Sequence, residues 1–538
     1  MTAGRGGTVI VVNLASDAGT PRAANGKRIA PGVLVPDMTL GRFYVVLTAL
    51  MLGSLLAAMD TAIVNTSLPT IAGALKGFSG YAWVATAYLL ASAVVMPIAG
   101  KLSDLYGRKK LFNTAIVLFM FGSLACASAQ SMTQLIVARG VQGLGGGANQ
   151  AITFAILGDL ISPRERGRYI AIYVGASTVA AIGGPLLGGF IVDHFAWEWV
   201  FLINLPLGVL ALAGSVFVLR LPFPPKGGRL DVLGAVLLAS GLTCLMLALE
   251  NGRHGWVRPS VAGLFIGAAI LLITFVGVER QAPEPMIPLT LFQNRIATWT
   301  YVMGALIGAV AFGSANVFLP IYFQNAKGVS STKSGLYIAP IIFGAFMGTL
   351  TAGRLIAHTG RYKIFPIVGC YSALVGALFM LRLGPTVPYW QLGIPLFFSG
   401  MGAGAVFTTS SVAMQNSIDR SVMGVSTATM TFFRSFGGSL GIALFGTLFS
   451  ARVASVVDRA IRGTGEIRSV STLIRDPKAV RALPTAVRTA VVDGLSSGVK
   501  SVYVAVIGVL VVLLAVCLTL REIPLATAAD SAPAMPIE

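Results

Sequence analysis

GKLSDLYGRKK, residues 100–110, recurs as GRLIAHTGRYK at 353–363. The copies share Gly100/Gly353, Leu102/Leu355, Gly107/Gly360, Arg108/Arg361 and Lys110/Lys363. Each copy is a short basic loop between two long apolar runs. A loop that returns in the same setting far along the chain is the trace of a protein built from two like halves. The apolar runs decide what kind of halves these are. The chain has 538 residues, 55% hydrophobic and only 11% charged. A soluble domain carries roughly 25% charged residues. That excludes an ordinary soluble enzyme, a disordered chain and a secreted disulfide scaffold. An outer-membrane barrel would show short alternating segments and not long apolar runs. An all-α integral membrane protein remains.

Outward from the repeat, fourteen apolar runs follow: 43–71, 81–99, 111–129, 132–157, 169–192 and 199–219; then 232–249 and 261–278; then 298–323, 335–357, 364–383, 389–412, 425–449 and 502–520. A helix of about 20 residues crosses a bilayer core. The first basic loop joins runs two and three, and the second joins runs ten and eleven. That shift of eight equals a six-run half plus a two-run insertion. The expected plan is a tail at 1–42, a six-helix bundle at 43–220, a two-helix insertion with linkers at 221–295, a second six-helix bundle at 296–520 containing a loop at 450–501, and a tail at 521–538.

The net charge of +19 raises the question of a nucleic-acid partner. The placement of the charges answers it. With the N-terminus inside, sixteen Lys and Arg fall in the short inner loops and six in the outer ones. This is the positive-inside pattern, so the charge has a topological reading, both termini are expected in the cytoplasm, and no nucleic acid is expected. The 450–501 segment disagrees, with nine Lys and Arg on the expected outer side; long loops obey the rule poorly. Cys126, Cys244, Cys370 and Cys517 all lie in apolar runs and read as small core residues. His194, His254 and His358 are scattered without metal-ligand spacing, so neither a metal nor a cofactor is expected.

Several segments resemble a known family. GKLSDLYGRKK is similar to the loop motif of the major facilitator superfamily. MDTAIVNTSLP at 59–69 resembles the first-span motif of its fourteen-span drug:proton antiporter family. ARGVQGLGGG at 138–147 resembles the superfamily's proton-relay motif, and GASTVAAIGGPLLGG at 175–189 its antiporter motif. FLINLPLG at 201–208, FLPIYFQ at 318–324 and FRSFGGSLG at 433–441 also resemble this family. The resemblance covers roughly 43–449 in order; the later loop and both tails lie outside it. It implies a major facilitator fold of two six-helix bundles plus two inserted helices, in the cell membrane. The implied activity is exchange of amphipathic small molecules for protons. Two departures stand out. Glu198 sits between Trp197 and Trp199, where the family usually has Arg, and no Asp or Glu falls in runs nine to fourteen.

The residues carry their own chemistry. Asp60 lies deep in an apolar run, where a charge costs about 2.5–3.5 kcal/mol on insertion scales. A carboxyl there is neutral, paired or facing water, and it is the candidate for proton coupling; its other role is a packing hydrogen bond. Arg139 is the candidate partner, since it stays charged; its other role is capping backbone carbonyls. Gly100, Asp104, Gly107 and Arg108 form a candidate conformational latch, with Asp104 on a helix N-terminus or on Arg108. Ala357 replaces Asp104 in the second copy, so the latch is expected in one half only. The alternative is a plain basic loop. Gly175, Gly184, Gly188 and Gly189 around Pro185 allow close, bent helix packing that seals the path against proton leak, or simply generic packing. Arg434 is a second buried cation with no evident partner.

No GxxxxGK[ST] phosphate loop is present, and no nucleophile–base arrangement appears. An enzyme is not expected. The expected protein is an ion-driven exporter, working as a monomer on drugs or toxic compounds that are neutral or singly cationic. The alternative is an exporter of an endogenous lipid or cell-envelope precursor.

Overall fold

The computed structural model describes residues 38–75, 81–219, 230–252, 258–311, 316–329, 331–384, 387–419, 422–460 and 485–525. The regular elements are helical. In lipid, a backbone without water must satisfy its own hydrogen bonds, and a helix does so within one segment. The first half holds α1 (Leu40–Ala74), α2 (Tyr81–Tyr106), α3 (Arg108–Ala127), α4 (Met132–Leu160), α5 (Pro163–His194), α6 (Trp199–Leu202) and α7 (Asn204–Val218). Next come α8 (Val232–Gly252) and α9 (Pro259–Glu279). The second half holds α10 (Arg295–Val310), α11 (Asn316–Asn325), α12 (Ser331–Thr359), α13 (Ile364–Met380), α14 (Tyr389–Asn416), α15 (Met423–Ala460) and α16 (Thr485–Thr519). Among the described residues, ten helices are long and apolar enough to cross a membrane, with two shorter apolar ones beside them.

Local chemistry sets the starts. Ser131 Oγ accepts from Gln134 N at 3.3 Å to begin α4. Asn294 Oδ1 accepts from Ile296 and Ala297 N at 3.0 and 3.2 Å to begin α10. Both are side-chain caps on otherwise unpaired amides. Pro opens α5 and α9, where its missing N–H is harmless.

Helices α1–α7 pack on one another, and so do α10–α16; α8 and α9 form a pair that leans on α2 and α15. The halves meet where α2 crosses α15 and where α5 crosses α12. An eight-run shift turns run two into α12 and run five into α15. The two contacts therefore exchange when the halves are exchanged, as expected of two like units face to face.

The first glycine of each repeat makes these crossings. A methyl group on Gly100 of α2 would lie 2.7 Å from the Gly424 carbonyl oxygen of α15. One on Gly353 of α12 would overlap the Gly167 backbone of α5. Small residues let backbones approach this closely. The second glycine turns the loop: Gly107 and Gly360 have φ of 96° and 68°, a region disfavoured for residues with a Cβ. The repeat is thus a device for an interhelix crossing followed by a sharp turn.

The structure departs from the sequence reading in places. The segment expected as a loop at 450–501 is helical at both ends, since α15 runs to Ala460 and α16 starts at Thr485; residues 461–484 lie outside the described ones. Its flanks mix small apolar and basic residues, so hydropathy falls while helix continues. Run nine is helical from Arg295 to Val310 and again from Asn316. Gly184 packs on Ala62 and Gly188 on Ile63 and Thr66 of α1, while Gly175 packs on Phe346 of α12. Gly189 has no such neighbour, and the Pro185 side chain lies outside the described ones.

The α5–α12 crossing yields a test. Leucine in Gly167→Leu has no room against Gly353, so the two helices must part at this end. Spin labels on Glu165 and His358 are expected to move apart by several ångströms relative to the parent protein. An unchanged distance would mean that the glycine contact does not hold the halves together.

Candidate functional site

The centre of the first half holds a polar network cut off from solvent. Asp60 of α1 is fully buried and Arg139 of α4 is 1% exposed. Arg139 Nη1 donates to Asp60 Oδ2 at 2.5 Å and to Gln142 Oε1 at 2.6 Å. Asp60 Oδ1 accepts from Gln142 Nε2 at 2.8 Å and from Asn204 Nδ2 at 2.9 Å. Ser123 Oγ of α3 accepts from both of these amides, at 3.0 and 2.9 Å. The Arg139 guanidinium also lies 4.3 Å from the centre of the Tyr88 ring. Four helices of the half thus converge on one carboxylate. A buried ion pair stands only when its remaining hydrogen-bonding capacity is also met; here Gln142, Asn204 and the Val84 carbonyl contact the pair, and Ser123 holds the two amides in place.

A second cluster sits at the end carrying the 100–110 loop. Arg108 pairs with Asp104 at 2.7 Å and with Asp159, the latter from the far end of α4. Asp104 in turn accepts from Gly424 N at 3.2 Å and Val425 N at 3.0 Å, the first residues of α15. A carboxylate on a helix N-terminus faces unpaired amides and the positive end of the helix dipole. The other inter-half crossing is fastened by the opposite charge. Arg164 at the start of α5 donates from Nε to the Ala357 carbonyl at 2.6 Å and from Nη2 to the His358 carbonyl at 3.2 Å, at the end of α12. Ala357 is the residue that replaces Asp104 in the second repeat. There a cation on a helix C-terminus takes the place of an anion on a helix N-terminus. Behind the second loop, Tyr362 Oη donates to the Arg521 carbonyl at 3.0 Å, and burial pushes its phenol above the usual range.

Arg434 of α15 stands apart. Its guanidinium lies 4.5 Å from the centre of the Phe407 ring of α14 and 5.8 Å from that of Phe154 of α4. Tyr173 of α5 lies beside it, next to Ser54 and Gln150. Among the described residues its guanidinium makes no hydrogen bond and no ion pair. A cation inside the membrane costs about 2.5–3.5 kcal/mol, and one aromatic contact returns about 0.5–2 kcal/mol. The two rings offset part of the cost of holding this half-buried charge.

The sequence reading singled out Asp60 and Arg139, and the structure brings them into direct contact. It also brings Asp104 and Arg108 together, while Arg434 pairs with no acid among the described residues. Sequence reasoning missed Gln142, Asn204, Ser123, Asp159 and Arg164. Three of them are neutral polar residues in apolar runs, the only signal available for them. Asp159 was visible only as a helix-end acid, and Arg164 only as one of three loop arginines.

Two helical halves set face to face, each carrying a copy of the basic loop, with buried ion pairs between the helices of the first, define a helical membrane transporter. The model of the Major Facilitator Superfamily matches residues 50–442. Multidrug resistance protein 3 of Bacillus subtilis (strain 168) is 33% identical over 468 residues, covering 85% of this chain and 91% of that protein. Multidrug transporter protein MdtP of the same organism is 34% identical over 416 residues, 76% of each chain. The structure of the human organic anion transporter MFSD10 superposes with a TM-score of 0.58 at 15% identity, over 88% of this chain and 99% of that one, a likeness of fold alone. The chain belongs to the Major Facilitator Superfamily. It is a multi-pass membrane transporter with multidrug and efflux relatives, and not an enzyme.

The ion pair makes a stability prediction. Arg139→Gln strands a buried carboxylate and is expected to lower stability by about 3–5 kcal/mol. Adding Asp60→Asn removes the stranded charge and is expected to restore much of that loss. Thermal melting in detergent of four proteins, the parent, Arg139→Gln, Asp60→Asn and the double variant, measures both effects. A double variant as unstable as the sum of the singles would show that the two residues are not coupled.

Proposed function

We propose that this protein exports amphipathic small molecules in exchange for protons, by alternating access between two six-helix bundles in a chain of fourteen spans. The observation that carries the reading is the Asp60 carboxylate, fully buried yet held by three donors, Arg139, Gln142 and Asn204. A proton added to Asp60 removes the charge that organises this network. A proton lost restores it. Such a group has two states with different partners, which is what coupling to a conformational change requires.

Helix α4 links that change to the gate. It carries Arg139 at the carboxylate and Asp159 at the latch, twenty positions apart, or about 30 Å along a helix. Asp159 holds Arg108, Arg108 holds Asp104, and Asp104 holds the start of α15. A shift of α4 against α1 therefore reaches the inter-half contact through Asp159, Arg108 and Asp104 to the backbone amides that open α15. In this reading Gly100, Asp104, Gly107 and Arg108 bias the conformation and do not touch substrate. Gly175, Gly184 and Gly188 pack α5 tightly enough to exclude a proton wire. A cavity of about 240 Å³ where α5 meets the second half, with Val174, Ile341, Ala345, Val506 and Leu510 in its wall, offers an apolar surface for substrate. The protein works as a monomer in the cell membrane with both termini cytoplasmic, and needs no cofactor.

Export of an endogenous lipid or cell-envelope precursor is the second reading. It is supported by a lateral groove of about 370 Å³ between α13 and α14, where Phe379, Trp390, Ile394 and Phe398 meet Arg382. An acyl chain and an anionic headgroup fit such a groove.

Asp60→Asn is expected to abolish uphill, proton-driven export in proteoliposomes while leaving folded, inserted protein. Cationic, neutral and lipid-like compounds tried in parallel separate the two readings. Normal uphill transport by this variant would remove Asp60 from the mechanism.

A further inference from the structure

Arg434 is a half-buried charge that the coupling scheme does not use. It sits where the halves meet, on α15, facing Phe154 of α4, Tyr173 of α5 and Phe407 of α14. Among the described residues no acid pairs with it: Asp60 is held by Arg139, Gln142 and Asn204, and Asp159 pairs with Arg108. Ser54 and Gln150, next to Tyr173, add neutral polar groups from α1 and α4. The surroundings therefore comprise a forked cation, two aromatic faces, a phenol and neutral hydrogen-bonding side chains, contributed by both halves. Asp60 is not free to pair with a cationic substrate, since its oxygens already accept three hydrogen bonds.

We propose that Arg434 recognises the carboxylate of an amphipathic anion whose apolar body lies against Phe154 and Phe407. A guanidinium presents two parallel N–H groups that match a carboxylate. In this half-buried site the unpaired guanidinium makes the anion the favoured guest, and the rings supply the apolar contact. The inference rests on the export reading and reverses the substrate charge expected from sequence. It names a specificity residue that touches substrate directly. Because α15 also carries the amides held by Asp104, an anion on Arg434 would bear on the same helix that the latch grips.

The test is equilibrium binding to the full chain in lipid nanodiscs, with empty nanodiscs as the blank. The probes are cholate, its neutral methyl ester and the cation tetraphenylphosphonium. Cholate is expected to bind saturably and at least tenfold more tightly than either of the others. Arg434→Gln is expected to erase that preference, and Arg434→Lys to keep part of it. Equal binding of cholate and its ester to the unaltered protein, no saturable cholate binding, or a cholate preference that survives Arg434→Gln would each overturn the proposal. The comparison on unaltered protein needs no variant to fold. Binding at equilibrium needs no proton gradient, so a failure here is distinct from a failure of proton coupling.

Discussion

A charge pair buried inside a membrane protein depends on both partners, because either one left alone is an uncompensated charge that costs about 3–5 kcal/mol. Asp60 and Arg139 meet at 2.5 Å between α1 and α4, and neither has water to fall back on. Each leftover hydrogen-bonding site must be met by protein. Gln142 comes from the same helix as Arg139, one turn on. Asn204 comes from α7 and Ser123 from α3. The pair therefore fixes the mutual positions of four helices in the first half. No comparable network appears among the described residues of the second half, whose interior is built on apolar packing and close glycine contacts such as Gly344, Gly348, Gly400 and Gly404 between α12 and α14. The two halves are built differently: the first around a buried ion pair, the second around apolar packing, close glycine contacts and neutral polar side chains.

The asymmetry continues at the gate. Both inter-half crossings begin on the first glycine of a repeat, and both are fastened at a helix end. At α2–α15 an acid grips a helix N-terminus; at α5–α12 a base grips a helix C-terminus. Each contact follows the helix dipole. The crossing whose repeat has Ala357 in place of the acid is therefore fastened all the same, with backbone carbonyls as acceptors and Arg164 as the charge.

Much of this was legible in the sequence, for physical reasons. Asp60 and Arg139 stood out because a charge in an apolar run is expensive and needs a cause. The repeat exposed the two halves because a loop motif survives where helix packing faces drift. Gln142, Asn204 and Ser123 were not legible, because a neutral polar residue in a helix is common and its partner lies on another helix. Arg164 was hidden by its role, since a cation bonding carbonyls leaves no mark at the acceptor. The ends of the 450–501 segment were misjudged because average hydropathy measures lipid contact and not helix. Arg434 was seen, but that its neighbours are rings and not acids depends on how α4, α14 and α15 meet.

The account stands on one link: the protonation state of Asp60 sets whether α15 stays gripped at the far end of α4. Distance measurement between spin labels on Tyr106 of α2 and on Asp419, just ahead of α15, follows that grip directly. As pH falls from mildly alkaline to mildly acidic, the account predicts a shift from a short to a long distance, absent in Asp60→Asn, which stays long at every pH. A distance that ignores pH in the unaltered protein, or one that responds equally in Asp60→Asn, would contradict it.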